Sequence, residues 1–358
     1  MKRFSILILT LCLCLTGCGK QTTEATAQIF AMDTVMEVAA YCSKAEEAVQ
    51  ETKGRIKALE NQLSRTKADS DVSRVNHNGT TPTTGLTYGM RALLPAALEY
   101  RDATNGAFDI TIAPIMDAWG FTGDQFRVPE QSELNELLKH VNSDEIQVQE
   151  EPSYSVTLGE GQAIDLGGIA KGYTSDWVEQ TFRANGIESG KISLGGNVFV
   201  LGGNVFVLGT KPDGSDWRVG IKDPRNESGL AAILSLRDAY AITSGGYERY
   251  FEENGKTYHH IIDPSTGYPA DSGLLSVTVV AADNGPDWAG AGNGAMCDAF
   301  STALFVMGEE QALDFWRNGG YDFDLVLVTE DGRVVITAGL ADRFEEVKDS
   351  GYTYETVS

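Results

Sequence analysis

Three features of the sequence predict an α+β fold with mixed, largely antiparallel sheets packed with helices. Helical and extended segments follow one another without the regular strand–helix–strand alternation of a doubly wound sheet. A strand–turn–strand unit, LVLVTEDGRVVITA, turns at Asp331-Gly332, the residue pair that a tight hairpin prefers. No proline-rich or low-complexity linker cuts the chain after Gln28, so residues 29–358 read as one domain.

The elements follow in chain order. Residues 1–17 form a leader: Lys2 and Arg3, an apolar run from Phe4 to Leu15, then Thr16-Gly17 before Cys18. Such a run is too short for a stable membrane-spanning helix. The small residues ahead of Cys18 match the site read by lipoprotein signal peptidase, so Cys18 is expected to carry the lipid anchor, at an extracytoplasmic membrane face. Residues 18–28 read as a polar tether. FAMDTVMEVAAY, residues 30–41, begins the fold as a strand. Lys44–Leu63 places Ala48, Val49, Ile56, Leu59 and Leu63 at helical spacing. Leu86–Thr104 is a second helical segment, interrupted at Pro95. Ser132–Val141 is a third, and Lys171–Asn185, stopped by Gly186, is a fourth. Extended pieces are expected over 191–208, Trp217–Ile221, Tyr258–Ile262 and Leu275–Val280.

The net charge of −23 argues against nucleic acid as a partner. An anionic ligand would need a local cation or metal. Cys12 and Cys14 leave with the leader and Cys18 is the anchor, so only Cys42 and Cys297 remain, and both are expected to be free.

Several short motifs could carry chemistry. Asp165-Leu-Gly-Gly-Ile-Ala-Lys-Gly-Tyr173 combines a glycine pair, a helix start and Lys171. That combination can receive a phosphate on free backbone N–H groups, or it can be a plain strand-to-helix turn. In MCDAFSTAL, Asp298 and Thr302 stand at i and i+4, so their oxygens share a helix face. A carboxylate, a hydroxyl and a nearby carbonyl suit a hard cation such as Mg²⁺. Gly290-Ala-Gly-Asn-Gly-Ala295 fits a dinucleotide-type glycine pattern, but no strand runs into it, so it reads as a loop. Tyr258-His-His-Ile-Ile262 holds two of the four histidines. Alternation along a strand sends His260 with Ile262 to one side and His259 to the other. No nucleophile elbow, HExxH or CxxC pattern occurs in the mature chain.

One stretch is written twice: Leu-Gly-Gly-Asn-Val-Phe-Val at 194–200 and again at 201–207. An odd insertion would reverse the faces of a continuous strand. The expected solutions are a hairpin, pairing Asn197–Leu201 with Asn204–Leu208 about Gly202-Gly203, or a bulged-out copy. Either way the second copy is expected to be structural, with at most Gly195-Gly196 lining a cleft.

In this order the motifs resemble the FAD:protein FMN transferase family, the ApbE-type flavin transferases. The resemblance rests on AMDTVM, LSRTKADSDVSRVN, GAFDITIAPIMDAWGF, DLGGIAKGY, SLGGNVFVLG, TSGGYERY, HHIIDPSTGYP and DAFST, and runs from about Phe30 to Ile336. It implies that FAD binds as substrate with Mg²⁺ on its pyrophosphate, held by the Ala170 carbonyl, Asp298 and Thr302, with Ser301 in reach. It implies flavin and ribityl contacts from Met32, Ala107, Phe108, Asp109 and Ile262, and phosphate or adenosine contacts from Gly167, Lys171 and Tyr173. Two positions depart from the family pattern: Asp33, where many members have Gly, and Thr66, where some have an aromatic against the flavin. The resemblance further implies transfer of FMN to a Thr hydroxyl of an acceptor flavoprotein bearing an Asp/Ser-x-x-Ser/Thr-Gly-Ala-Ser/Thr motif, with AMP released. His260 is the candidate general base. The same residues could serve an FAD pyrophosphatase or a non-catalytic flavin-binding lipoprotein.

Overall fold

A computed structural model describes residues 23–123, 125–195, 204–226, 228–283 and 290–358. The leader and Cys18 lie outside them, as does most of the first repeat copy. Nine strands form the main sheet, in the spatial order Glu24–Ala31, Thr34–Tyr41, Gly190–Leu194, Asn204–Leu208, Ala239–Gly245, Leu274–Ala282, Asp324–Thr329, Arg333–Thr337 and Thr353–Val357. Every neighbouring pair is antiparallel except the last, which is parallel. The α+β expectation is met.

Among the described residues, seven α-helices accompany the sheet: α1 (Ala45–Leu63), α2 (Asp71–Asn78), α3 (Tyr88–Ala103), α4 (Ala113–Trp119), α5 (Gln131–Leu137), α6 (Ala170–Ala184) and α7 (Asn293–Asn318). One sheet face, with Val38, Ile192, Phe206, Ile242 and Val279, packs with residues of α1, α3, α6 and α7. The opposite face, with Val205, Val207, Ala241, Val280 and Val326, packs on a three-stranded sheet through Trp217, Val219, Ile221 and Leu234. Burial on both faces explains why Asn204–Leu208 reads as an unbroken apolar run after its first residue instead of alternating. A third cluster joins Ile115, Trp119 and Phe121 to Leu134 and Ile262, with Phe251 and Tyr258 against it.

Four expectations are corrected. Residues 24–28 belong to the first strand and are not tether, and residues 24–41 form a hairpin in place of one strand. Its turn is Met32-Asp33, with φ of 51° and 57°. Positive φ at both central residues is the hairpin-matching turn geometry, and aspartate tolerates it better than most side chains. Helix α3 runs through Pro95 uninterrupted, since packing of Met90, Leu93, Leu94 and Ala97 in the core outweighs one lost backbone bond. The glycine pattern at 290–295 is not simply a loop: its second half opens α7. Its N–H groups are taken by the buried Asp176 carboxylate of α6, which accepts from Gly292, Gly294 and Ala295 at 3.0, 2.7 and 3.1 Å. Burial pushes Asp176 up to about 7 although these donors favour its ionised form.

The expected hairpin partner Asn197–Leu201 and turn Gly202-Gly203 lie outside the described residues, whereas the second copy's strand is described. Asn204–Leu208 pairs on one edge with Gly190–Leu194 and on the other with Ala239–Ala241, so neither edge is left for Asn197–Leu201. The second copy therefore holds the sheet register. Cys42 and Cys297 are free, as expected, and among the described residues no helix is long and apolar enough to cross a membrane.

Candidate active site

A cleft of about 1070 Å³ opens between the helical layer, the ends of the central strands and the segment carrying His260. Its volume is at the upper end for small-molecule sites, as a dinucleotide requires. Met32, Thr66, Ala107, Phe108, Asp109, Gly167, Ala170, Lys171, His260, Ile262, Asp298 and Thr302 all line it. Two of the residues singled out from the sequence do not.

The floor is built where α6 meets α7. Gly172 lets the helices touch: a Cβ there would lie 2.0 Å from the Gly294 carbonyl oxygen. Across this contact the Asp298 carboxylate reaches the start of α6, where its Oδ2 accepts the Gly172 N–H at 2.8 Å. The Ile169 and Ala170 N–H groups bond the Leu166 carbonyl. The phosphate-ready N–H groups expected of α6 are therefore largely occupied within the protein. Asp298 supplies the negative charge that this helix end favours, and it is buried, not exposed.

Thr302 stands one turn further along α7, its Oγ1 3.1 Å from Ser244 Oγ. Ser244 Oγ also lies 2.8 Å from Ser301 Oγ, and Ser301 donates to the Asp298 carbonyl at 2.9 Å. Ser301 is fully buried behind this chain of hydroxyls and does not line the cleft. It supports Thr302 and is not placed as a metal ligand. The Ala170 carbonyl accepts the helical Thr174 N–H and also Thr174 Oγ1 at 2.7 Å, so it would join a cation only if that hydroxyl turned away. Carboxylate, hydroxyl and carbonyl form a hard-oxygen donor set that fits Mg²⁺. Among the described residues no group of three or more His, Cys, Asp or Glu could hold a metal. A cation here would therefore need oxygens from its ligand and water, which is the usual habit of Mg²⁺.

Tyr173 is also corrected. It is fully buried, edge-on to Trp177 at 6.2 Å between ring centroids, so it packs α6 and does not line the cleft. Asp109 lines the cleft, but its carboxylate turns inward. Oδ1 accepts from the Thr111 N–H, Thr111 Oγ1 and Ser143 Oγ at 2.8, 2.6 and 2.6 Å. These bonds pin the loop that presents Ala107 and Phe108.

The two histidines part to opposite sides as expected, although the strand, Lys256–His259, ends between them and His260 lies in the bend beyond it. His259 turns inward, edge-on to Phe305 at 5.4 Å, with Nε2 3.1 Å from the Ala270 carbonyl and Nδ1 accepting the Ile261 N–H. His260 lines the cleft with Nδ1 3.2 Å from the Arg249 carbonyl. A carbonyl can only accept, so Nδ1 carries the proton and Nε2 keeps its lone pair. Burial, then nearby Lys171, pull the His260 pKa down to about 3, leaving the imidazole neutral.

Sequence reasoning gave no role to several residues of the wall. Arg65 donates to Thr122, Asp117 and Asp165 at 2.7, 2.8 and 3.4 Å. Lys222 lines the cleft with its Nζ 5.0 Å from the Tyr247 ring centre. Glu248 faces the cleft, where burial raises its pKa and Lys171 opposes the rise. Asn204, from the second repeat copy, also lines it, so the copy is not merely structural. The Thr-Ser-Gly-Gly-Tyr-Glu-Arg motif marked Ser244 and Glu248 as a group, but only the fold shows which side chains turn inward.

The fold and this cleft define a class: α+β proteins with a dinucleotide-sized site combining hard oxygen donors, cations and a neutral histidine. The ApbE family model matches residues 32–325, and the chain belongs to that family. It is 30% identical over 315 residues to the FAD:protein FMN transferase of Treponema pallidum, spanning 86% of this chain and 84% of that one. It is 32% identical over 301 residues to one from Klebsiella pneumoniae, spanning 83% and 86%. Among solved structures, the ApbE protein of Thermotoga maritima superposes with a TM-score of 0.77 at 30% identity, covering 91% of this chain and 97% of that one. The apo flavinyl transferase ApbE of Pseudomonas stutzeri gives 0.72 at 26%, covering 91% and 95%.

Proposed function

We propose that this protein is a Mg²⁺-dependent FAD:protein FMN transferase that moves FMN from FAD to a threonine hydroxyl of an acceptor flavoprotein and releases AMP. The observation that carries the reading is the meeting, in one cleft, of a neutral His260 with the Ala170, Asp298 and Thr302 oxygens. Lys171 and Lys222 supply cations to the same cleft. Bound there, Mg²⁺ would neutralise the pyrophosphate and orient it for in-line displacement.

In the proposed reaction the acceptor Oγ forms a bond to the FMN-side phosphorus as the bond from that phosphorus to the AMP oxygen breaks. His260 Nε2 takes the hydroxyl proton, while the Arg249 carbonyl holds the ring through Nδ1. An imidazole whose conjugate acid has a pKa of about 3 is a weak base. A bound pyrophosphate would raise it, because a nearby anion favours the imidazolium. Met32, held by its N–H to Glu60 Oε1 at 2.8 Å, and Phe108 offer apolar surface to the flavin.

The test is incubation with FAD, Mg²⁺ and a peptide carrying the Asp/Ser-x-x-Ser/Thr-Gly-Ala-Ser/Thr motif, read by mass spectrometry. The expected result is an FMN mass on threonine, lost in EDTA. Free AMP with unmodified peptide would replace the reading with pyrophosphatase, and intact FAD would replace it with binding alone. We also propose lipid anchoring at Cys18 on the extracytoplasmic membrane face. Cys18→Ala should shift the protein from the membrane to the soluble fraction, and an unchanged distribution would refute the anchor.

A further inference from the structure

The tandem repeat has no part in the chemistry above, yet its second copy reaches the cleft. Asn204 opens its strand, is 2% exposed, and donates from Nδ2 to Asp298 Oδ1 at 3.0 Å. The Gly172 N–H donates to Oδ2 of the same carboxylate at 2.8 Å. A carboxylate is otherwise loosely held about its last torsion. Here one donor from the sheet and one from α6 grip both oxygens and fix its plane.

We propose that Asn204 is a positioning residue for Asp298, holding the carboxylate so that its remaining lone pairs face a divalent cation in the cleft. Loss of a neighbour that orients a metal ligand in this way typically costs about 10–100-fold in metal affinity. The inference rests on the flavin-transfer reading only for the identity of the phosphate ligand that shares the cation.

The repeat decides how this is tested. Asn197 stands seven residues before Asn204 in an identical unit. A seven-residue shift of the chain would bring Asn, Val, Phe, Val and Leu onto the same five strand positions. It would also bring Gly202 to the place of Gly209, where φ is 59° and a Cβ would lie 1.9 Å from the Glu188 carbonyl oxygen. A variant must therefore remove both asparagines.

The experiment compares the full-length chain with Asn197→Leu/Asn204→Leu. Mn²⁺ binding is read from the electron paramagnetic resonance of free Mn²⁺ in the presence of FAD, and transfer is followed against Mg²⁺ concentration. The double variant should bind Mn²⁺ roughly 10–100-fold more weakly. Its transfer rate should recover as Mg²⁺ is raised, a pattern that simple loss of folded protein would not give. Mn²⁺ affinity within about twofold of wild type overturns the proposal, twofold being well below the roughly 10–100-fold that such neighbours normally control. Should the leucine variant not fold by circular dichroism, Asn197→Ser/Asn204→Ser reads the same quantity, since serine is too short to reach Asp298. Wild type that binds Mn²⁺ with FAD but never transfers FMN would refute the functional reading and leave this inference standing.

Discussion

At the residue scale the two adjacent histidines make the sharpest contrast. His260 presents a free Nε2 to the cleft, whereas both nitrogens of His259 are engaged by backbone. Replacing His260 with alanine should lower transfer by about 10²–10⁴-fold while FAD binding, read by flavin fluorescence, stays close to wild type. His259→Ala should affect stability more than turnover, and the opposite pattern would mean that the strand faces the other way. The same residues predict a pH signature. Burial lowers the pKa of both, His260 to about 3. A folded pKa below the unfolded 6.5 means the neutral form contributes stability above 6.5, lost as pH falls through about 3. Of the four histidine signals in a ¹H NMR titration of the ligand-free protein, that of His260, assigned with His260→Gln, should stay unchanged from pH 8 to 5. A midpoint near 6.5 would contradict its burial. The adjacency of the two histidines made a split legible in the sequence, although the strand expected over Tyr258–Ile262 ends at His259. The inward turn of Asp109 and the burial of Tyr173 and Ser301 were not legible, because each depends on partners distant in the chain, such as Ser143 for Asp109.

At the scale of elements, the junction of α6 and α7 carries the site. Gly172 approaches Gly294 so closely that a methyl group would meet backbone on a second helix. Gly172→Ala should therefore destabilise the protein by about 1–3 kcal/mol, measured by urea unfolding. It should also raise the Mg²⁺ concentration needed for transfer, because Asp298 bonds the Gly172 N–H. Unchanged stability would show that the helices part without cost. The amphipathic spacing of α1 and the Asp-Gly turn were readable locally, whereas the first strand was missed because its polar residues hide its pairing with Thr34–Tyr41. The repeat was half readable. The sequence offered a hairpin or a bulged copy, and only the strands on both edges of Asn204–Leu208 exclude the hairpin. Deleting Leu201–Val207 leaves one Leu-Gly-Gly-Asn-Val-Phe-Val unit, with Asn197 in the place of Asn204. The shortened protein should fold and bind FAD with wild-type affinity. A folded deletion variant that no longer binds FAD would mean that the added length itself serves the cleft.

At the scale of the whole molecule, a chain of net charge −23 must admit a ligand whose pyrophosphate carries two negative charges. Two fields compete. The distant acidic surface repels FAD over its whole approach, while Lys171, Lys222, Arg65 and Arg249 line the cleft and attract it at short range. Arg65 is already engaged by Asp117 and Asp165, and Asp298 and Glu248 lie within the same walls, so the local attraction is partly cancelled. Salt separates the two fields because it screens distant charges first, over a Debye length of about 10 Å at 0.1 M. In EDTA, the association rate of FAD measured by stopped-flow fluorescence should therefore rise as NaCl increases from about 0.01 to 0.3 M, the range over which that screening length falls from about 30 Å to a few ångströms. With saturating Mg²⁺ the ligand arrives largely neutralised at its pyrophosphate, and the same titration should be nearly flat. A rate that falls with salt in EDTA would show that the lysines focus the field strongly enough to outweigh the acidic surface. The cleft would then recruit its anion without needing the metal for approach.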